Sequence, residues 1–316
     1  MVRTAEIVTP KHPDKICDRI SDAILDECLK QDPNTRAAIE TMGGHGIITV
    51  TGELTTKAFV DVSEVVKRVY GKDIGVQTNI VRQSPEIAQG VDTGGAGDQG
   101  IMIGYACNDN EEYVPQEYYL ARKLAQHIYE KYPYDGKTQV TMNGNSLRVV
   151  ASFCCTPTNI LKDLVVEFFD QYPDYRIEDL HCNPAGDWSL GGFDADAGLT
   201  GRKLAVDNYG PRVPLGGGSF SGKDASKVDR SAAYMARRIA VDLLEDRTAS
   251  EVSVQLAYAI GYDKPIQASA LIDGQHEFVN GYDLTPKGII DFLELKDPNF
   301  SKTAEWGHMG NNFKWK

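Results

Sequence analysis

The chain has 316 residues, too long for one average domain and suggestive of two or three. It is 41% hydrophobic and 25% charged, which is ordinary for a globular protein with a sizeable core. A net charge of −12 repels phosphate backbones and argues against nucleic acid as a partner, but it leaves room for a small anion wherever Lys and Arg gather.

In chain order, Pro13 stands where a helix can begin, and Ile16, Ile20, Ile24 and Cys28 recur behind it every four residues, predicting a helix over about 13–31. RAAIET (36–41) and GIITVTGEL (46–54) read as two strands with Gly43 and Gly44 in the turn between them. Val62, Val65, Val66 and Val69 mark a second helix. Residues 83–100 are glycine-rich and aperiodic, a loop long enough to be a lid or binding loop. TQVTMNG (138–144) and SLRVVASFCC (146–155) read as a hairpin, followed by a helix near 158–171. RKLAVDNYG (202–210) reads as a strand, 229–247 as a strong helix, 253–260 and 266–272 as strands, and 286–293 as a helix. The repeated strand-pair-and-helix theme predicts three similar α+β domains.

The N-terminus lacks the apolar core of a signal peptide, and no stretch approaches the ~20 apolar residues of a membrane span. The six cysteines form no C-x-x-C pair and match no zinc spacing. A reduced cytoplasmic protein is the simplest expectation. The adjacent Cys154 and Cys155 are able to act as a redox pair, although strand packing is the plainer reading.

Four segments carry chemistry. In GGGSFSGKDASKVDR (216–230), Gly217, Gly222 and Lys223 fit the G-x-x-x-x-G-K of a phosphate loop, but Asp224 stands where Ser or Thr should hold magnesium. Glycines, Lys223, Lys227 and a following helix start still suit an anion; a flexible turn is the plainer alternative. GAGDQG (95–100) has the G-x-G-x-x-G spacing, yet it follows a loop, and the segment around Glu117 looks helical, so the dinucleotide reading is rejected. HPDKICD (12–18) puts His12 at a helix start, with Asp14, Asp18 and Asp22 on one face. One of these carboxylates is able to bind magnesium, although a solvated helix face is the simpler reading. DADAGLTGRK (194–203) sets Asp194 and Asp196 before a glycine turn and Arg202–Lys203 after it. No Ser/His/Asp or Cys/His arrangement is evident.

Together these segments resemble the S-adenosylmethionine synthetases (methionine adenosyltransferases). The resemblance lies in HPDKICDRISDAILD (12–26), GAGDQGIMIGYA (95–106), DAGLTGRKLAVDNYG (196–210), GGGSFSGKDASKVDRSAAYMAR (216–237), AYAIG (257–261) and KTAEWGHMG (302–310). It implies three similar sheet-plus-helix domains with pseudo-threefold symmetry, contributed by segments 1–98, 99–191 and 192–316 that interleave. It also implies a homodimer with active sites at the subunit interface, tetramer formation being open, and a need for Mg2+ and K+. In the implied reaction the sulfur of L-methionine attacks the ribose carbon of ATP that bears the triphosphate, and tripolyphosphate leaves and is hydrolysed to pyrophosphate and phosphate.

By position, His12 would sit at the breaking bond and Asp14 would bind magnesium with Asp229. Lys137, Arg202, Lys203 and Lys223 would surround the phosphates, with Ser219 offering its backbone, and Glu40 would hold potassium. Glu53, Gln83, Asp196 and Lys227 would orient methionine, and Asp98 would lie near the sulfur. Asp135 and the Asp187–Trp188 pair would contact the nucleoside, the Trp188 ring stacking on adenine. A thioether has no proton to lose, so no general base is expected, and catalysis falls to cations at the leaving group. Three departures from the family pattern stand out: Pro10–Lys11 before HPDK, Leu215 before the triple glycine, and a short loop between Gln83 and Gly95. Alternatives are an altered member that binds ATP and methionine-like ligands or only splits tripolyphosphate, a non-enzymatic subunit, and an unrelated kinase built on the near-phosphate loop.

Overall fold

The computed structural model describes residues 1–83, 94–297 and 299–316. Most of the expected loop, from Ser84 to Thr93, lies outside the described residues.

The first hairpin shows how the local sequence sets the pattern. Strand β2 (Arg36–Gly44) pairs antiparallel with β3 (Ile47–Thr55) down to Gly44↔Ile47, so the turn falls on His45–Gly46 and not on Gly43–Gly44 as expected. The two glycines are strand residues: a Cβ on Gly43 would lie 2.5 Å from the Phe193 ring, which packs against the strand there. Helix α1 (Pro13–Leu29) lies across β2, and helix α2 (Val62–Tyr70), capped by the Asp61 carboxylate, carries the chain over to β4 (Gly75–Val81), which runs parallel to β3. The two-residue β9 (Gly198–Leu199) closes this sheet in the order β4-β3-β2-β9.

The same unit recurs. Strands β6 (Gly136–Asn143) and β7 (Ser146–Phe153) form the expected hairpin, helix α4 (Thr158–Phe169) crosses over, and β8 (Arg176–Cys182) runs parallel to β7. The N-terminal β1 (Val2–Val8), not foreseen as a strand, adds antiparallel to β6, with helix α3 (Gln116–Lys131) against both. The third sheet, β12-β11-β10-β5, joins β5 (Gly100–Cys107) to β10 (Glu251–Tyr258), β11 (Gln267–Ile272) and β12 (Gln275–Phe278), with helix α6 (Val228–Arg247) packed on it. The fold is α+β, built of three four-stranded sheets each covered by helices.

Residues 202–210 are not a strand. They contain the short helix α5 (Leu204–Asp207), because Val206, Asp207, Asn208 and Tyr209 are all buried in succession and no ladder partner flanks them. Helix α7 (Pro286–Phe292) and the short α8 (Phe300–Thr303) end the chain against α6 and α1.

Helix α1 is itself nearly enclosed. Asp14, Asp18 and Asp22 have no exposed surface and Asp26 is 5% exposed, so the aspartate stripe is a buried face and not the solvated one expected. The carboxylates meet backbone N–H groups from three other segments: Asp14 accepts from Leu199 N at 2.9 Å and Asp18 from Gly201 N at 2.8 Å in one turn, Asp22 from Gly222 N at 2.8 Å, and Asp26 from Phe300 N at 2.8 Å. The helix is thereby a spine that fixes both loops singled out in the sequence.

Candidate active site

At the start of α1 the His12 ring caps the helix, its Nδ1 accepting from Asp14 N at 3.2 Å. That bond leaves the proton on Nε2. Burial, reinforced by the Lys203 ammonium, lowers the imidazole to about 4 against the pull of Asp14, so the ring is neutral at physiological pH. Asp14 receives Lys203 Nζ at 2.7 Å and Arg202 Nε at 3.2 Å. Burial acts to raise its pKa, but hydrogen bonds from Lys203 and Leu199 outweigh that and hold the carboxyl below its ordinary range. A Cβ on Gly198 would lie 2.3 Å from the Pro13 carbonyl group, so only glycine lets this turn sit against the helix start.

The near-phosphate loop forms a second group of charges. Lys223 pairs along β2 opposite Ala38, with Ile39 N donating to Gly222 O at 3.0 Å. Gly222 has φ +79°, and a Cβ there would lie 2.0 Å from Ile39 O. Strand register then puts Lys223, Ala38, Glu40, Met42, Ile47, Glu53, Val81 and Leu199 on the face of the sheet turned away from α1. Lys223 Nζ reaches Asp229 Oδ2 at 2.7 Å, and Asp229 lies against Gly218, where a Cβ would come within 2.1 Å of its carboxyl carbon. Burial raises the Glu40 carboxyl, opposed by Lys223 and aided by Asp18. The two groups adjoin through Gly201, whose Cβ would stand 2.7 Å from that of Ser219.

Other expected site residues take varied places. Lys137, on β6, is half-exposed and 3.6 Å from Glu6. Asp135 is pushed up by burial and accepts from Gly192 N at 2.8 Å. Asp196 is exposed, and its charge is felt by both His12 and Asp135. Lys227 meets Asp224 Oδ1 at 2.5 Å. Asp224 in turn accepts from Ala37 N at 2.8 Å, so the carboxylate that spoils the phosphate motif is turned into the sheet and not toward an anion. Gln83 donates its N–H to Thr55 at 3.3 Å, while its buried Oε1 has no partner among the described residues. Asp98 accepts from its neighbour Gln99 N at 2.8 Å. Asp187 accepts from Thr158 N at 3.0 Å and from the Thr158 hydroxyl at 2.5 Å, which caps α4; these bonds hold its pKa down. Trp188 is half-buried, and its carbonyl accepts from Cys155 N at 2.8 Å.

Sequence reasoning missed the buried polar network behind these groups. Lys15 lies between Asp18 at 3.0 Å and Asp207 at 2.5 Å, and Asp22 is paired with Arg230. Tyr234 links Arg230 at 3.0 Å to His308 Nδ1 at 2.7 Å. Lys15, three residues before Asp18 on the same helix face, and Arg230, among the apolar residues of the 229–247 helix, were the available signal. Among the described residues, no group of three or more His, Cys, Asp or Glu is arranged to hold a metal ion.

Residues 1–91, 93–153 and 190–316 match the models for the S-adenosylmethionine synthetase N-terminal, central and C-terminal domains. The chain is 41% identical to an S-adenosylmethionine synthase of Clostridium tetani (strain Massachusetts / E88) over 97% of its own length and 93% of the relative's. It is 39% identical to one from Brachyspira hyodysenteriae (strain ATCC 49526 / WA1) over 99% and 94%. With 370 aligned positions against 316 residues, the chain is internally shortened relative to the first of these. The chain belongs to the S-adenosylmethionine synthetase family.

Proposed function

We propose that this chain is a methionine adenosyltransferase that makes S-adenosylmethionine from ATP and L-methionine, with the reaction centred where α1 meets the 198–203 turn. The observation that carries this is the convergence of neutral His12, buried Asp14, Arg202 and Lys203 at one helix start.

The attacking thioether needs no base. The methionine sulfur forms a bond to the ribose carbon as the bond to the triphosphate oxygen breaks, and the difficulty is the charge gathered on the leaving group. Lys137, Arg202, Lys203 and Lys223 supply fixed cations for it, a preorganised stabilisation of the kind worth ~10²–10³ in rate per donor. His12, with its proton on Nε2, is a neutral donor suited to the oxygen that leaves. Ser219 offers its backbone to the phosphates. Asp135, Asp187 and Trp188 are assigned to the nucleoside, and Glu53, Gln83, Asp98, Asp196 and Lys227 to methionine.

Magnesium takes only one or two protein carboxylates beside substrate phosphates. Asp14 and Asp229 would hold it, each giving up a Lys or Arg partner to the ion. Glu40, partly desolvated on the open sheet face, suits a weakly hydrated potassium ion. Bound there, these ions would add positive charge at the triphosphate.

Glu40, Glu53 and Lys223 share their sheet face with Met42 (55% exposed), Val81 (55%), Ile47 (48%) and Leu199 (37%). That apolar surface supports a homodimer whose second copy covers the face and completes the site. The internal shortening favours a dimer without further assembly, and light scattering showing a stable tetramer at micromolar concentration would refute this. A cytoplasmic location is part of the same reading; among the described residues, no helix is long and apolar enough to cross a membrane.

The test is to incubate the purified chain with ATP, L-methionine, magnesium and potassium and to follow S-adenosylmethionine by mass spectrometry. Product that requires methionine and vanishes in Lys223→Ala supports the reading. Folded wild-type protein that makes none overturns it.

A further inference from the structure

Cys154 and Cys155 stand at the end of β7 with their sulfurs 3.4 Å apart. Cys154 is 4% exposed and Cys155 is open to solvent, in a turn where Cys155 has φ +56°. Both line a cavity of about 350 Å³ that also receives Lys11, Lys72 and Asp135. The turn is tied to both proposed nucleoside contacts: Cys154 N donates to Asp135 O at 2.9 Å and Cys155 N to Trp188 O at 2.8 Å. The Cys154 sulfur also packs beside Gly191, where a Cβ would lie 3.0 Å from it and 3.1 Å from the Asp135 Cβ.

We propose that Cys154–Cys155 is a reversible oxidation site for small hydroperoxides, and that closing the pair loosens the ATP site. The coupling to ATP rests on the proposed roles of Asp135 and Trp188; the site itself does not.

The Cys155 thiolate attacks one oxygen of hydrogen peroxide. An S–O bond forms, the O–O bond breaks, and hydroxide leaves to become water, giving a sulfenic acid. The Cys154 thiol then gives up its proton and attacks that sulfur. An S–S bond forms and the oxygen departs as a second water. Two thiols lose two electrons and one peroxide becomes two waters. Exposure makes Cys155 the first to react, and the Cys154 sulfur, 3.4 Å away, is placed for the resolving step, which burial slows by pushing that thiol up to about 12. Neighbouring Cα atoms are about 3.8 Å apart, short of the ~4.4–6.8 Å of relaxed disulfides, so the bridge is strained and easily reduced. Drawing the sulfurs from 3.4 Å to a bond of about 2.05 Å shifts them by more than an ångström in a turn that packs beside Gly191 and the Asp135 side chain.

The experiment treats the reduced full-length protein with hydrogen peroxide, alkylates the remaining thiols and maps peptides by mass spectrometry, with ATP affinity measured in parallel. The expected result is a loss of about 2 Da on the peptide holding both cysteines, absent alkylation there, and recovery with dithiothreitol. ATP affinity falls by about fivefold to tenfold on oxidation, a range set by the loss of one good contact. Cys155→Ser keeps basal activity and shows neither change. Free, alkylatable thiols after treatment, or sulfinic acid on Cys155 without a bridge, would overturn the site. A bridge with unaltered ATP affinity overturns the coupling. A bridge in protein that makes no S-adenosylmethionine upholds the site and overturns only the functional reading.

Discussion

Asp22 accepts both terminal guanidinium nitrogens of Arg230, at 2.7 and 2.8 Å, with neither side chain exposed. The pair pins α1 to α6, and Asp22 also receives Gly222 N, so it holds the loop that carries Lys223. Asp22→Asn leaves the Arg230 charge buried without its counterion. Breaking such a pair costs about 3–5 kcal/mol, whereas well-packed apolar replacement of both partners is often neutral. Denaturant unfolding of Asp22→Asn against Asp22→Leu/Arg230→Met measures the difference. Equal, small losses in both variants would mean that the pair contributes little.

Lys223→Ala and Arg202→Ala each remove one cation from the proposed triphosphate site. Each is expected to lower kcat by about 10²–10³ while the KM for methionine stays within about threefold, because charge develops on the leaving oxygens and not on the thioether. Steady-state kinetics decide this. A rise in methionine KM at unchanged kcat would place these side chains at the other substrate.

Asp224 tests the phosphate-loop resemblance directly. Its carboxylate joins Ala37 N, Ser226 N and Lys227 Nζ. Asp224→Ser recreates the motif's usual residue, yet it removes the acceptor that positions Lys227. Stability falls by about 1–3 kcal/mol, the cost of leaving a buried donor unsatisfied, and methionine KM rises. Higher activity in Asp224→Ser would show a true phosphate loop.

These three tests fall where the sequence was most and least legible. Long periodic elements such as α1 and α6 could be read, because their apolar spacing and their core packing agree. Residues 202–210 could not: Leu204 and Val206 are spaced like strand residues, but their position is set by Lys15 reaching Asp207 from a helix far away in sequence. Strand β1 was hidden for a related reason, since its identity depends on pairing with β6 more than a hundred residues later. The aspartate stripe was seen, but its burial was not, because most of the neutralising cations and N–H groups come from three segments distant in sequence. Asp187 shows the same limit, a residue expected at the nucleoside whose described bonds cap α4.

Asp187→Ala therefore separates two roles. Loss of a helix cap costs about 1 kcal/mol, visible in thermal unfolding. If Asp187 also contacts the nucleoside, ATP KM rises by about threefold or more, and Asp187→Asn, which keeps the acceptor oxygen, restores the cap without the charge. A stability loss with no change in ATP KM would confine Asp187 to capping.

His308 offers a prediction in pH. It is fully buried, hydrogen-bonded to Tyr234 and 3.9 Å from Asp207, and burial together with Arg230 and Lys15 lowers its pKa well below 6.5. The unfolded chain takes up the proton near pH 6.5 and the folded chain does not, so this group withdraws stability as pH falls below that value. Between pH 7.5 and 5.5 the withdrawal is about 1.4 kcal/mol. Asp207 acts in the opposite sense. Burial, and the proximity of Asp18 on the same lysine, push its carboxyl up to about 7. The folded state therefore binds its proton first, and stability rises as pH falls through that window. The wild-type profile is the sum of the two, so His308 has to be read as a difference. His308→Gln keeps a polar group beside Tyr234 but removes the titration. Its stability at pH 7.5 is lower than wild type, and the gap narrows by about 1 kcal/mol at pH 5.5. A gap that is constant across this range would mean that His308 takes up its proton as readily in the fold as outside it, and that the Tyr234–His308 contact survives charging beside Arg230.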